Sequence, residues 1–199
     1  MIWLGLTGGI ATGKSTAAEI FRKFGESVIN ADEVAHQVVR PGSDGLAQVI
    51  QVFGPGLLLP DQSLDRKKMA KLVFQNPDQL RKLESILHPL VKSVVASQKL
   101  AEEKKGTKLL IYDVPLLFEK NMQDQFDSTI LIACSEKLQR DRLIHRDHLT
   151  DAEVDARLQN QMPTAKKRKL AEFVIENETT QTELEQHLKQ VLAKIKKRC

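Results

Sequence analysis

Ile2-Trp3-Leu4-Gly5-Leu6-Thr7-Gly8-Gly9-Ile10-Ala11-Thr12-Gly13-Lys14-Ser15 is the stretch that decides the fold. Its opening is short, apolar and followed by glycines, the pattern of a strand buried on both faces. From Gly13 the period changes, and Ala17, Ile20, Phe21 and Phe24 recur at three- and four-residue spacing before Gly25. That is the apolar stripe of a helix. Strand, glycine loop and helix within ~25 residues open a βαβ unit. Residues Gly8 to Ser15 fit the eight-residue phosphate-loop pattern, in the strand-to-helix context the pattern requires. Glycines let backbone amides turn onto phosphate oxygens, and the helix start adds its positive end. In such a loop Lys14 neutralises β- and γ-phosphate charge and Ser15 holds Mg²⁺.

Further strands are predicted at Ser27-Val28-Ile29-Asn30, Leu109-Leu110-Ile111-Tyr112, Thr129-Ile130-Leu131-Ile132-Ala133 and Phe173-Val174-Ile175. Helical patterns separate them, which predicts an α/β fold with about five parallel strands and helices on both faces. Between Asp65 and Lys105 the spacing is helical throughout, with Leu80, Leu83, Ile86, Leu87, Leu90, Val91 and Val94 as its apolar positions. A segment this long between two strands predicts an inserted helical subdomain over about 65–105. Thr150-x-x-Glu153 and Thr180-x-x-Glu183 have capping-box spacing and mark helix starts.

The 199 residues suit one domain spanning 1–199, and 41% hydrophobic with 28% charged residues is ordinary for a globular protein. No apolar run approaches the ~18 residues of a membrane span, and the apolar N-terminus lacks the basic start of a signal peptide. Cys134 and Cys199 form no disulfide framework, so a reducing cytoplasm is expected. From Pro163 to Cys199 there are nine basic and five acidic residues, which accounts for the whole net charge of +4. Lys166-Lys167-Arg168-Lys169 and Lys194 to Arg198 lack interleaved aromatics, so both are expected to be solvated basic faces rather than nucleic-acid sites.

Several side chains are candidates for chemistry. Asp113 ends an apolar strand, where a phosphate-loop protein holds Mg²⁺ directly or through water; a surface aspartate is the alternative. Asp32 lies just past Asn30, at the crevice end of the second strand. There it could orient or deprotonate an attacking hydroxyl, and equally Asn30 or Asp32 could cap the next helix. Arg140, Arg142 and Arg146 follow the fourth strand and suit either a closing lid or a salt-bridged surface helix. His145-Arg146-Asp147 lacks the companion motifs of protein kinases, and His145 with His148 has no third metal ligand. His88, before Pro89, could be a local hydrogen-bonder. No Asn-Lys-x-Asp guanine motif is present.

Taken together these motifs resemble the dephospho-coenzyme A kinase family over nearly the whole chain. Gly5 to Thr16 is similar to its phosphate loop, Leu87-His88-Pro89-Leu90-Val91 to its Leu-His-Pro-x-Val element, and Asp113-Val114-Pro115-Leu116-Leu117-Phe118-Glu119 to its Asp-x-Pro-Leu-Leu-Phe-Glu stretch. The resemblance implies a three-layer phosphate-loop kinase with a helical acceptor-binding insertion and an arginine-rich lid over about 138–162. It implies ATP as donor, dephospho-CoA as acceptor and Mg²⁺ as cofactor. From composition no nucleic-acid or membrane partner is expected, and the sequence leaves the oligomeric state open, a monomer being the simplest expectation. Catalysis would fall to Lys14, Asp32 and Arg140. ATP binding would fall to Gly9, Ala11, Thr12, Gly13, Lys14, Ser15, Thr16, Arg142 and Asn177. The acceptor would meet Asp32, His88, Leu116, Phe118, Glu119, Arg146 and Gln161, with Arg157 near the lid, and Ser15 with Asp113 would hold the metal. Two departures stand out: Asn30 replaces the first aspartate of the family's Asp-Ala-Asp, and Thr179 replaces the usual glycine after Asn177. A nucleoside or nucleotide kinase is the nearest alternative activity, and a nucleotide-regulated switch the alternative outside enzymes.

Overall fold

Five parallel strands, β1 (Ile2–Gly8), β2 (Ser27–Asn30), β3 (Leu109–Asp113), β4 (Ser128–Ala133) and β5 (Phe173–Glu176), form one sheet in the order β2-β3-β1-β4-β5. The computed structural model describes residues 1–74 and 76–197. All five strands fall where alternating and continuous apolar runs predict them. In register, Leu4 and Leu6 of β1 stand beside Ile111 and Asp113 of β3, and beside Ser128 and Ile130 of β4. Because β3 and β4 flank β1 on opposite sides, the chain reverses its winding at β1. A ligand crevice is expected beyond the carboxyl end of that strand.

The chain divides into two units, 1–29 with 102–199, and 30–101. The first carries the sheet. One face buries Leu4, Leu6, Leu109, Ile111, Ile130 and Ile132 against Ala17, Ile20 and Phe21 of α1 (Lys14–Lys23) and Leu184, Leu188 and Ile195 of α9 (Gln181–Lys196). On the other face the rings of Trp3 and Tyr112 stack at 5.4 Å and those of Trp3 and Phe126 at 5.6 Å. Gly5 shares that face; a Cβ there would stand 2.6 Å from Leu117 Cδ1. Its bare backbone lets the turn after β3 pack down on the sheet. That turn buries Leu117 and Phe118 completely. Three further helices follow β4: α6 (Glu136–Asp147), α7 (Asp151–Gln159) and α8 (Thr164–Leu170). Thr150 and Glu153 form the full capping box at α7, whereas at α9 Thr180 caps Glu183 N and the Glu183 carboxylate bonds Thr179.

The expectation of solvated basic faces needs correction. Lys167 has no exposed surface and lies 2.7 Å from Glu119 Oε1. α8 is a short helix with one buried position, Lys167, and the run of four cations conceals it. At the other end Ile195, between Lys194 and Lys196, is 1% exposed. Cys134 is a buried free thiol whose desolvation pushes its pKa up to about 11, while Cys199 and Arg198 lie outside the described residues.

The second unit is helical: α2 (Ala31–Gln37), α3 (Asp44–Phe53), a 3₁₀ turn (Pro55–Leu57), α4 (Arg66–Phe74) and most of α5 (Pro77–Lys104). Val34, Val38, Val39, Leu46, Val49, Leu57, Leu64, Met69, Val73 and Val95 are buried hydrophobic positions in it. Gly45 is required by close approach, since a Cβ would lie 2.1 Å from the Val38 carbonyl oxygen. The unit starts at residue 30, earlier than the 65 read from helical periodicity. Short α2 and α3, broken by Pro41, Gly42 and Gly54, do not build a long periodic signal. Among the described residues no helix is long and apolar enough to cross a membrane.

Candidate active site

The loop leaving β1 is held by its carbonyls. Thr12 Oγ1 donates to Gly9 O at 2.8 Å, Gln139 Nε2 to Ile10 O at 2.7 Å, Arg142 Nη1 to Ala11 O at 3.1 Å and Asn177 Nδ2 to Thr12 O at 2.8 Å. Four consecutive acceptors are thus taken, which fixes the direction of the intervening amides. Two amides are also engaged, Ile10 N donating to Gln161 Oε1 at 2.9 Å and Thr12 N to Gly9 O at 3.3 Å. Ala11 and Gly13 have φ of 59° and 91°, the left-handed conformation that curls the backbone around an anion. At Gly13 a Cβ would come within 2.2 Å of Asn177 Nδ2, so no other residue fits.

The helix beyond the loop is left uncapped. Ser43, Ser135, Thr150 and Thr180 each cap their helices through a side-chain oxygen, and Asn30 does so at α2. At α1 the N-cap is Gly13, with no side-chain bond and no acidic residue in the first turn. Its orphan N–H groups and positive dipole end therefore await an anion from outside the chain.

Lys14 Nζ is bonded to the Asp113 carboxylate, which has no exposed surface. The two charges compensate each other at the carboxyl end of the sheet. Ser15 is exposed in the first turn of α1. Among the described residues no group of three or more His, Cys, Asp or Glu could hold a metal. One hydroxyl and one carboxylate suit Mg²⁺ that arrives already bound to phosphate oxygens, since Mg²⁺ keeps several waters and needs few protein ligands.

Beside the loop lies a cavity of about 550 Å³, lined by Gly13, Thr16, Arg142, Arg146, Asn177 and Thr179 among others. It adjoins the uncapped helix start and has room for a nucleoside. A larger cavity, about 920 Å³, opens near Ile2, Ser27, Leu109 and Ser128, at the amino ends of the strands. Size does not decide between them; position relative to the loop does.

Other sequence candidates stand as follows. Arg142 spans the loop and the end of β5, its Nη2 donating to Asn177 O at 3.0 Å. Arg140 is held by Asp155, with Glu136 and Asp151 within 3.6 Å and 3.8 Å. Arg146 Nε donates to Asp147 at 2.8 Å, and Arg157 to the same carboxylate at 3.2 Å, which holds Asp147 below the usual carboxylate range. Glu119 accepts from Met162 N at 3.0 Å and faces Lys167. Leu116 is exposed and Phe118 wholly buried, so Phe118 supports the turn from beneath. In the second unit Asn30 Oδ1 caps α2, accepting from Asp32 N at 2.8 Å and Glu33 N at 3.0 Å. Asp32 is therefore not the cap, and its side chain is exposed. His88 is exposed on α5, with Nε2 3.7 Å from Glu84 Oε1. Gln139 was not foreseen; it is 4% exposed on a helix of low apolar content, and its shared face with buried Leu143 four residues on was the available signal.

A family model described as dephospho-CoA kinase matches residues 2–183. The chain belongs to the dephospho-CoA kinase family. It is 44% identical over 192 residues to a dephospho-CoA kinase of Bdellovibrio bacteriovorus, covering 96% of this chain and 95% of that one. To the Geobacillus kaustophilus enzyme of the same name it is 40% identical, covering 95% and 94%. Among solved structures, a dephospho-CoA kinase from Campylobacter jejuni superposes with a TM-score of 0.73 at 28% identity, covering 98% and 97%. A shikimate kinase from Acinetobacter baumannii shares the fold at a TM-score of 0.54 and 13% identity, covering 100% of this chain and 94% of that one.

Proposed function

We propose that this family member transfers the γ-phosphoryl group of ATP to the ribose 3′-hydroxyl of dephospho-CoA, giving CoA and ADP, the last step of coenzyme A biosynthesis. The observation that carries this reading is the pre-formed phosphate loop at the end of β1 in a chain matched to dephospho-CoA kinases over residues 2–183. Transfer is direct and in line, with no covalent enzyme intermediate, because positioning and charge neutralisation supply most of the catalysis in phosphoryl transfer. The amides of the loop and of the first turn of α1 bind the phosphates. Lys14 exchanges Asp113 for phosphate oxygens as the nucleotide enters, following the charge that develops during transfer. Ser15, and Asp113 through water, would hold Mg²⁺, which supplies charge neutralisation on the β- and γ-phosphates.

Arg142 and Asn177 fix the loop and adjoin the nucleoside cavity, which supports their assignment to ATP. Arg140 serves the transferred group by exchanging its carboxylate neighbours, Asp155 first among them, for a phosphoryl oxygen. By the resemblance, Asp32 orients or deprotonates the acceptor hydroxyl, and His88, Leu116, Glu119, Arg146 and Gln161 are the other residues assigned to acceptor binding. Those assignments rest on the resemblance and on the freedom of the Asp32 carboxylate from capping. The same reading goes with a cytoplasmic protein, the compartment that suits a chain without a disulfide framework.

The test is coupled ADP release with Mg-ATP against dephospho-CoA, nucleosides and nucleoside monophosphates. Release that depends on dephospho-CoA and on no other acceptor supports the reading. Release without any acceptor would make the chain an ATPase switch.

A further inference from the structure

Within the run Lys166 to Lys169 the fold takes one side chain, Lys167, out of water completely. Its ammonium lies 2.7 Å from Glu119 Oε1. Burying an ammonium against a single carboxylate recovers the lost hydration only when the remaining lone pairs and protons are also satisfied. Here they are not: among the described residues Lys167 Nζ and Glu119 Oε2 make no directed hydrogen bond. A pair of apolar residues of similar size would serve stability at least as well. The pair therefore calls for a reason other than stability.

Its surroundings supply one. The Glu119 oxygen that faces Lys167 also accepts from Met162 N at 3.0 Å. Met162 follows Gln161, and Gln161 Oε1 receives Ile10 N of the phosphate loop at 2.9 Å. Pro163, with its fixed φ, joins Met162 to α8, and Lys167 N donates back to Pro163 O at 3.2 Å. A short stiff arm thus carries Lys167, and the carboxylate it holds grips the backbone next to the residue that holds the loop.

We infer that the buried Lys167–Glu119 pair is a positioning device for nucleotide binding: it fixes the Gln161–Met162 segment, which in turn sets the Ile10 amide of the phosphate loop. Lys167 touches neither nucleotide nor acceptor and acts only through Glu119, Met162 and Gln161. The inference deepens the kinase reading and rests on it for the identity of the ligand of the loop.

A thermodynamic cycle tests it. One branch carries Lys167→Met with Glu119→Gln, a neutral pair of similar size that keeps an acceptor for Met162 N; the other carries Gln161→Leu. Mg-ATP binding is measured by calorimetry on the full chain, with a thermal melt of each variant. The pair variant should melt close to the parent yet bind Mg-ATP about tenfold more weakly, a loss inside the range of measured couplings between contacting residues. Gln161→Leu should lose a similar factor, and the combined variant no more than Gln161→Leu alone. Parental affinity in a folded pair variant, or losses that multiply to about a hundredfold in the combined variant, would overturn the inference. If the pair variant does not fold, Glu119→Gln alone enters the same cycle with the same outcomes; failure of both to fold shows a requirement of folding and also overturns it. Nucleotide binding needs no acceptor. A chain that shows the coupling but phosphorylates nothing would refute the dephospho-CoA reading and leave this one standing.

Discussion

Asn177, the residue after β5, donates its side-chain amide to the Thr12 carbonyl at 2.8 Å and so joins the last strand to the phosphate loop across 165 residues of chain. The bond is buried, and Gly13 passes directly beneath it. Gly13→Ala should abolish nucleotide binding, because the new methyl would meet Asn177 Nδ2 at 2.2 Å and the φ of 91° is disfavoured for alanine. Equilibrium dialysis with Mg-ATP checks this; binding within a few-fold of the parent would show that the loop relaxes without cost. Asn177→Ala should weaken binding less, since Arg142 still holds Ala11 O.

Lys14→Ala removes the partner of the buried Asp113 carboxylate as well as the phosphate ligand. Turnover should fall by ~10²-fold or more, in the range of single electrostatic donors. The nucleotide-free protein should also melt earlier, because the buried Asp113 carboxylate loses an oppositely charged neighbour. A folded variant with near-parental turnover would reject the phosphate-loop assignment.

Asn30 and Asp32 should separate cleanly. Asn30→Ala removes the α2 cap and should cost ~1 kcal/mol of stability by denaturant titration. Asp32→Asn leaves that cap untouched, so its melt should not move, while single-turnover transfer should fall by roughly 10²- to 10⁴-fold. An Asp32→Asn rate within about threefold of the parent, under ~1 kcal/mol in the barrier, would remove Asp32 from the mechanism.

Glu102 accepts from Ser27 Oγ at 2.7 Å, Thr107 Oγ1 at 2.7 Å and Lys105 Nζ at 2.6 Å, bonds that hold its carboxyl near a pKa of about 2, with that to Lys105 contributing most. A folded-state pKa below the unfolded one means the protein binds fewer protons than the unfolded chain between them. The stability from Glu102 is therefore complete above about pH 4.5 and lost as pH falls toward 2. Glu102→Gln should flatten the acid limb of stability against pH in that window and lower the plateau at neutral pH. An unchanged acid limb would show that the three bonds do not persist in solution.

Much of this architecture was legible because buried parallel strands leave continuous apolar runs. Leu109 to Tyr112 and Thr129 to Ala133 declare themselves, and Gly8 to Ser15 declares the loop between β1 and α1. Capping signals were legible in part: Thr150 with Glu153 reciprocates as spacing suggests, but Glu183 turns to Thr179, a competition that spacing does not encode. Long-range polar bonds left no local trace. Gln139, Gln161 and Arg142 converge on the loop from 129 or more residues away, and apart from the face that Gln139 shares with Leu143 nothing in their immediate sequence separates them from surface residues. Lys167 was hidden for the same reason, since three solvated neighbours set the local composition. At α2 Asn30 and Asp32 are equal candidates by sequence, because Asn and Asp cap equally well, and the fold gives the cap to Asn30, whose Oδ1 takes both amides.

The most direct measurement is a single turnover of γ-labelled Mg-ATP with dephospho-CoA, followed by phosphorus NMR of the product. The expected result is one new phosphate monoester on the ribose 3′-carbon, formed in step with ADP. Label appearing as inorganic phosphate, or on any other position or acceptor, would contradict the assignment of this chain as a dephospho-CoA kinase.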